Sequence, residues 1–153
     1  MEMLKSRATL VLCIISAFCT SVVLNTQQVK AQKVCSNSSL NGTYEAEGKG
    51  YVNNTAPAAQ TALNNFDGNG KMTGTVVARS VGGNVGTNIG IQATYQVNSD
   101  CSFTLNVTRT DGTTANYSGV VYDNGNKFAQ TETDPGTTFN VQGEKVNSYY
   151  RAR

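Results

Sequence analysis

The sequence of 153 residues contains no histidine and no tryptophan, and charged residues make up only 14% of it. Without an imidazole the chain cannot form a Ser/His/Asp or Cys/His catalytic set, a His-ligated zinc or haem site, or a histidine pH switch. So little charge also argues against a coiled coil, a helical bundle and a charged disordered tail. The length allows one domain, and two classes of function stay open: carboxylate acid–base chemistry and binding without catalysis.

The first 31 residues have the parts of a secretory signal peptide. Lys5 and Arg7 form the charged start, the run from Ala8 to Leu24 is apolar, and a short polar stretch then ends on Ala31, a small residue that suits signal peptidase. We therefore expect a signal peptide over residues 1–31 and a mature domain over residues 32–153. An uncleaved anchor is the alternative, but the apolar run is shorter than the roughly 20 residues that a bilayer span requires.

Cleavage at this position would change the charge of the protein. It would remove three cationic residues and one acidic residue, which are Lys5, Arg7, Lys30 and Glu2, and would take the formal charge from +2 to zero. A neutral protein has no basic field that could collect nucleic acid or anionic lipid. The sequence therefore predicts a secreted or periplasmic protein with no nucleic-acid partner and, after cleavage, no membrane partner.

Cleavage would also leave two cysteines, Cys35 and Cys101, which we expect to form a disulfide in an oxidising compartment. They are too far apart in sequence for a CxxC redox or metal motif. Asp67 and Asn69 offer oxygen atoms at alternate positions, but Lys71 stands where a calcium loop would place its next ligand. The sequence thus predicts neither a metal site nor a cofactor.

From residue 41 onward, apolar and polar residues alternate in short runs bounded by Gly, Asn and Asp, which is typical of β-strands. In the third run the alternation puts Ala78 on the face of Met72 and Val76, and puts Arg79 on the opposite face. Eight strands are predicted, at residues 43–52, 58–66, 71–80, 87–97, 101–107, 113–122, 127–133 and 137–146.

Short turns such as Asp111-Gly112 join these strands and leave no room for the crossovers that parallel strands need. The fold class is therefore all-β with an antiparallel meander. Closing an eight-stranded meander into an up-and-down barrel buries one face and removes both edges. We expect this barrel, with a two-sheet β-sandwich as the alternative.

Three segments carry a resemblance to a known group of proteins: CSNSSLNGTY at 35–44, FDGNGKMTGT at 66–75 and YQVNSDC at 95–101. With these segments the chain resembles uncharacterised small secreted proteins common in cyanobacteria and soil bacteria. The resemblance implies a calycin-like or allene-oxide-cyclase-like barrel and a disulfide from the first of these cysteines to the one after the Asn-Ser-Asp turn. It supplies no catalytic residues.

Glu132 is the carboxylate that most strongly suggests chemistry. If the seventh strand is regular, Glu132 shares a face with Phe128 and Gln130 and points into the barrel mouth, where its pKa would rise. The interpretation that we favour is that the strand has already ended and that Glu132 is solvated beside Asp134. The carboxylates in turns, at Asp67, Asp111 and Asp123, are expected to cap backbone N–H groups.

Aromatic side chains on the apolar faces are expected to form the core and to line any cavity inside the barrel; they are Tyr44, Tyr95, Phe103, Tyr117 and Phe139. The function that this pattern favours is non-catalytic binding of a small apolar ligand within the barrel. One alternative is a cofactor-free cyclase or isomerase, and another is an extracellular structural or adhesive module. The identity of the ligand and the oligomeric state stay open.

Overall fold

The computed structural model describes residues 34–146, which form a closed barrel of eight antiparallel strands. Each strand pairs with the next along the chain, and the eighth pairs with the first. The strands are β1 (Asn41–Val52), β2 (Ala56–Asp67), β3 (Lys71–Val81), β4 (Asn84–Val97), β5 (Ser102–Arg109), β6 (Thr114–Tyr122), β7 (Lys127–Glu132) and β8 (Thr138–Lys145). The predicted up-and-down barrel is confirmed, and the sandwich alternative is wrong.

The signal peptide predicted at residues 1–31 lies outside the described residues. Two short 3-10 turns, Asn37–Ser39 and Asp123–Gly125, are the helical elements within residues 34–146. None of the described helices has the length and apolar character needed to cross a membrane.

Turn chemistry explains why consecutive strands fold back on each other. The Asp67 carboxylate accepts hydrogen bonds from the backbone N–H groups of Asn69, at 2.7 Å, and Lys71, at 2.9 Å. Asp111 accepts two from Thr113, one from its hydroxyl at 2.7 Å and one from its backbone N–H at 2.9 Å. These bonds lower the pKa values of both carboxyl groups, because they favour the charged form. The predicted capping role of Asp67 and Asp111 is confirmed.

A β-bulge in β3 corrects the predicted alternation of that strand. Thr61 of β2 pairs with Ala78, but the next residue, Ala62, pairs with Val76, so Val77 is an extra residue on β3. An extra residue reverses the alternation beyond it. Ala78 is therefore exposed, although its pattern placed it with the apolar face, and Arg79 lies on the interior face.

One end of the barrel, where β1 begins, is filled by aromatic rings. Five rings pack there, mostly edge to face, with centroids 5.2 to 6.1 Å apart; they are Tyr44, Phe66, Tyr95, Phe103 and Phe128. We call this the aromatic end. The mid-strand Gly143 makes part of this packing possible, because a Cβ there would overlap the Phe128 ring.

The segment before β1 covers the aromatic end. Leu40 is fully buried, and its carbonyl accepts a hydrogen bond of 2.9 Å from the Tyr95 hydroxyl. The predicted disulfide is present: Cys35 and Cys101 are bonded, with Cα atoms 5.0 Å apart, a normal separation. The disulfide therefore fixes the covering segment to the turn between β4 and β5.

The middle of the barrel is almost filled by side chains. The cavity that remains there has a volume of about 20 Å³ and lies among Met72, Ile91, Leu105, Val107 and several polar side chains. A cavity of this size has room for about one water molecule. The interior is thus an apolar packed core at the aromatic end, whereas polar side chains join the core in the middle of the barrel.

Candidate functional site

Polar side chains occupy the interior from the middle of the barrel to the end where β1 stops, which lies opposite the aromatic end. Two lie on β2, and one each on β3, β5 and β6; two more lie on β7. We call them the polar cluster, and they are Gln60, Asn64, Arg79, Arg109, Tyr117, Gln130 and Glu132. Asn64, Arg109, Tyr117 and Gln130 are buried, whereas Gln60, Arg79 and Glu132 are partly exposed. The cluster therefore connects the core with solvent.

A chain of hydrogen bonds joins three members of the polar cluster. Arg109 Nη2 donates to the Tyr117 hydroxyl at 3.2 Å, and that hydroxyl donates to Glu132 Oε2 at 3.1 Å. Tyr117 and Glu132 are direct partners in the register of β6 and β7, so the strand pairing itself brings them together. Arg109 Nη1 also donates to Thr113 Oγ1 at 3.3 Å. The arrangement is a guanidinium, a phenol and a carboxylate in series.

Burial shifts the proton equilibria of this chain. It raises the pKa of Glu132, and the hydrogen bond from Tyr117 and the charge of Arg109 oppose the rise without cancelling it. Burial, together with the negative charge of Glu132, also raises the pKa of Tyr117. The phenol thus stays protonated and acts as a donor, while the carboxyl group can take up a proton at higher pH than an ordinary glutamate.

The polar cluster holds two arginines and one carboxylate. Burial lowers the pKa of Arg79, and the positive charge of Arg109 lowers it further. Among residues 34–146, neither arginine forms an ion pair; the ion pair found there joins Lys127 and Glu144 at 3.3 Å on the outside of the barrel. The negative charges of Glu132 and of Asp111, in the turn after β5, act in the opposite direction and favour the charged guanidinium.

Several buried polar atoms of the cluster have no hydrogen-bond partner among residues 34–146. They are Gln60 Oε1, Asn64 Oδ1, Arg79 Nε, Arg109 Nε and Gln130 Oε1. Four of these side chains also line the 20 Å³ cavity, Arg79 being the exception. Buried polar atoms in folded proteins are almost always bonded, to protein or to water. A water molecule in that cavity could form hydrogen bonds with several of these atoms. Arg79 does not line the cavity, so its Nε needs another partner.

The structure brings together two of the residues singled out from sequence, Tyr117 and Glu132. Glu132 is the last residue of β7 and is partly buried, so the interpretation that it is solvated beyond the strand is wrong. Tyr44, Tyr95 and Phe103 lie instead in the aromatic end.

Phe139, the last of the five aromatic residues expected to line a cavity, is buried on β8 and packs against Gly48. It is not among the side chains that line the 20 Å³ cavity, whereas Tyr117 is. The site therefore contains one aromatic side chain from the predicted set and is otherwise polar.

Sequence reasoning missed Gln60, Asn64, Arg79 and Arg109. The signal for Arg109 was available, because it continues the inward alternation of Phe103, Leu105 and Val107 on β5. Arg79 could not be found in this way because of the β3 bulge.

Chemically, the polar cluster offers cationic donors, amide groups and one carboxyl group that can exchange a proton. Within residues 34–146, no group of three or more Cys, Asp or Glu side chains could hold a metal ion. No family model, no curated protein and no solved structure matches the chain. The function is therefore argued from the geometry of the polar cluster alone.

Proposed function

We propose that this protein is an exported binding protein that takes up one small molecule at the polar cluster and does not catalyse a reaction. The observation that carries the proposal is the set of buried, unpaired polar atoms described above. Four of them belong to side chains that line the small cavity in the middle of the barrel, and the fifth, Arg79 Nε, lies towards the end opposite the aromatic rings.

The energetics support a binding role for the cluster. Each buried hydrogen-bonding atom left without a partner costs about 1–3 kcal/mol, and a buried cation without a counterion costs more. Apolar side chains at the same positions would complete the core at lower cost. A ligand that supplies the missing partners recovers this free energy on binding, which gives the unfavourable arrangement a function.

The ligand that fits the site differs from the apolar ligand that the sequence suggested. A cavity of about 20 Å³ is much smaller than the several hundred Å³ of a typical small-molecule pocket. The partly exposed members of the cluster, Arg79, Glu132 and Gln60, are polar. We therefore place a polar ligand at the end of the barrel and not an apolar ligand in its middle.

Export of the protein is part of the same proposal. The disulfide between Cys35 and Cys101 is compatible with a location outside the cytoplasm. Together with the signal peptide expected at residues 1–31, it favours a secreted or periplasmic protein. A binding protein in such a location would meet its ligand without competition from the cytoplasmic pool.

Native mass spectrometry of the protein purified from its own host tests the proposal. We expect a mass above that of the disulfide-bonded chain by one small molecule. This added mass should be lost in Arg109→Gln and kept in Lys71→Gln, which removes one cation at the other end of the barrel. An added mass that survives Arg109→Gln, or none in any of the proteins, would contradict binding at the cluster.

The raised pKa of Glu132 favours one second candidate, a cofactor-free cyclase or isomerase. In it, the Glu132 carboxylate would take a proton from the substrate and return it at another atom, with Tyr117 and Arg109 holding the carboxylate in place. The co-purified molecule incubated with the protein in heavy water distinguishes the two. An enzyme incorporates deuterium and loses this activity in Glu132→Gln but not in Glu144→Gln; a binding protein incorporates none.

The third possibility, a structural or adhesive module, gains no support from these contacts. All eight described strands are paired on both sides, so none offers a free edge for pairing with another copy. Association through the polar outer faces stays a prediction from the sequence.

A further inference from the structure

We propose that the outer face of the barrel carries a second binding site, an open groove that takes a neutral carbohydrate chain. The groove has a volume of about 770 Å³, within the range of typical ligand pockets. It crosses the outward faces of β8, β1, β2 and β3. Gln60 and Arg79 of the polar cluster also border it, but its walls are outward side chains, so the inference goes beyond the proposed function.

Strand register brings the side chains of the groove together. Gln142 of β8 lies opposite Glu47 of β1, and Glu47 lies opposite Thr61 of β2. Two residues along the sheet, Glu144 of β8 lies opposite Glu45 of β1. All five side chains are exposed, and all five line the groove. The pairing of neighbouring strands therefore fixes the groove as one site.

The depth of the groove comes from a difference in side-chain length. On β2 and β3 its outward residues are small, as at Ala59, Thr61 and Ala78, whereas long side chains such as Glu47 project from β1. The β3 bulge places Ala78 on the outer face and turns Arg79, which regular alternation would direct outward, to the interior. Bulges are common beside functional sites, where they redirect a side chain.

The charges that border the groove balance. Three carboxylates and three cations line it, and they are Glu45, Glu47, Glu144, Lys49, Lys127 and Arg79. Lys127 and Glu144 form the ion pair of the outer surface. A site with balanced charges has no net attraction for a polyanion such as nucleic acid or for a polycation. The balance therefore favours a neutral ligand.

The walls offer hydrogen-bonding groups of both kinds. Within residues 34–146, the side chains of Glu45, Glu47, Lys49 and Gln142 form no hydrogen bond or ion pair with one another or with other groups. Carboxylates accept, an ammonium group donates and an amide does both. Sugar hydroxyl groups also donate and accept, and many of them occur on one neutral molecule. A peptide would need apolar pockets for anchoring side chains, which the small, largely polar residues of the groove do not form.

An aromatic ring borders the groove as well. Tyr122 of β6 is 44% exposed and lies opposite Lys127 in the register. Its ring gives a flat apolar surface on which the C–H groups of a sugar can pack, and its hydroxyl can form a hydrogen bond. Because the groove is open along the sheet, it suits a chain of sugars better than a single enclosed molecule.

NMR of the ¹⁵N-labelled protein tests this inference directly. The backbone amide signals are followed during titration with three neutral hexasaccharides, which are cellohexaose, maltohexaose and mannohexaose. Hexagalacturonate and the chitosan hexamer are the anionic and cationic probes. We expect saturable shifts in the middle of β1, β2 and β8 with at least one neutral chain, and weaker binding of both charged chains.

Variants locate the site. Ala78→Gln fills the groove with a longer neutral side chain and is expected to weaken binding of the neutral chain about tenfold or more. Thr75→Gln, an exposed position on the same strand but outside the groove, is the matched control and should leave binding as it is. Glu47→Ala removes an acceptor and should weaken binding several-fold. All three positions are exposed, so the fold tolerates these changes.

Three results would overturn the inference: no shift in the groove with any of the neutral chains, tighter binding of a charged chain, or binding that Ala78→Gln leaves unchanged. Glu132→Gln separates this site from the polar cluster. It should leave carbohydrate binding unchanged, and a loss of binding in this variant would contradict a site on the outer face. None of these results bears on whether the polar cluster takes up its own small molecule.

Discussion

The Tyr117 hydroxyl lies between the two charged groups of the polar cluster, 3.1 Å from Glu132 Oε2 and 3.2 Å from Arg109 Nη2. It accepts a hydrogen bond from the guanidinium and donates one to the carboxylate. This one hydroxyl therefore gives a hydrogen-bond partner to a nitrogen of Arg109 and to an oxygen of Glu132. It holds both side chains in the interior, where they are partly shielded from water. Its removal and the titration of Glu132 should have measurable consequences for stability.

Tyr117→Phe is expected to lower the free energy of unfolding by about 1–3 kcal/mol, because a buried nitrogen of Arg109 and a partly buried oxygen of Glu132 lose their partner while the ring stays. Urea denaturation measures the change. Tyr122→Phe removes a hydroxyl from an exposed tyrosine and should change the stability by less than about 0.5 kcal/mol. Equal effects of the two substitutions would show that the central hydroxyl contributes nothing.

Glu132 should make the protein less stable as the pH rises. Its pKa in the folded protein lies above the ordinary value of 4.5, so the folded state binds the proton more tightly than the unfolded state. This contribution to stability is complete below about pH 4.5 and is lost as the pH rises through the folded pKa. Since the side chain is partly exposed, the size of the effect is reduced by solvent screening.

Melting temperatures of wild type and Glu132→Gln, measured from pH 4 to pH 8, test this pH dependence. The variant cannot ionise, so its melting temperature should rise relative to that of wild type as the pH increases. Glu144→Gln, which removes a carboxylate from the outer surface, serves as the control for general charge effects. A difference between wild type and Glu132→Gln that does not vary with pH would contradict the account.

Arg79→Met should leave the protein as stable as wild type or make it more stable. The substitution removes a partly buried cation beside a second cation and leaves an apolar side chain of similar length on the interior face. Residues kept for function often show such a gain on replacement. Lys71→Met is the matched control at the aromatic end. A loss of several kcal/mol in Arg79→Met alone would mean that Arg79 is there for the fold.

The disulfide should contribute strongly to stability. It joins Cys35 and Cys101 across 66 residues, and a loop of this length corresponds to roughly 4 kcal/mol if the bridge acts only on the unfolded chain. Reduction, or replacement of both cysteines by serine, should lower the melting temperature markedly. An unchanged melting curve with both thiols free would contradict this contribution.

Local patterns in the sequence were enough to predict the barrel, because they repeat in every strand and turn. Asp67 and Asp111 mark hairpins through hydrogen bonds to residues two to four positions away, which sequence alone reveals. The interior position of Arg79 depends instead on a bulge against β2, a long-range property of the pairing.

The candidate site was less predictable than the fold. Glu132 was noticed but was interpreted as solvated, because the sequence does not show where β7 ends or that the pairing of β6 with β7 places Glu132 opposite Tyr117. Arg109 was visible in the alternation of β5, but a cation on an apolar face has no local explanation. Its partners, on Thr113 and Tyr117, become apparent only in three dimensions.

The central claim is that the polar cluster takes up a small molecule. The most direct measurement is chemical-shift mapping of the backbone amides by NMR, with a broad set of small polar compounds. The account predicts saturable shifts at the ends of β5 and β7 and in β6 beside Tyr117, with the aromatic end unchanged. Shifts confined to the aromatic end or to the outer surface, or none with any compound, would contradict it.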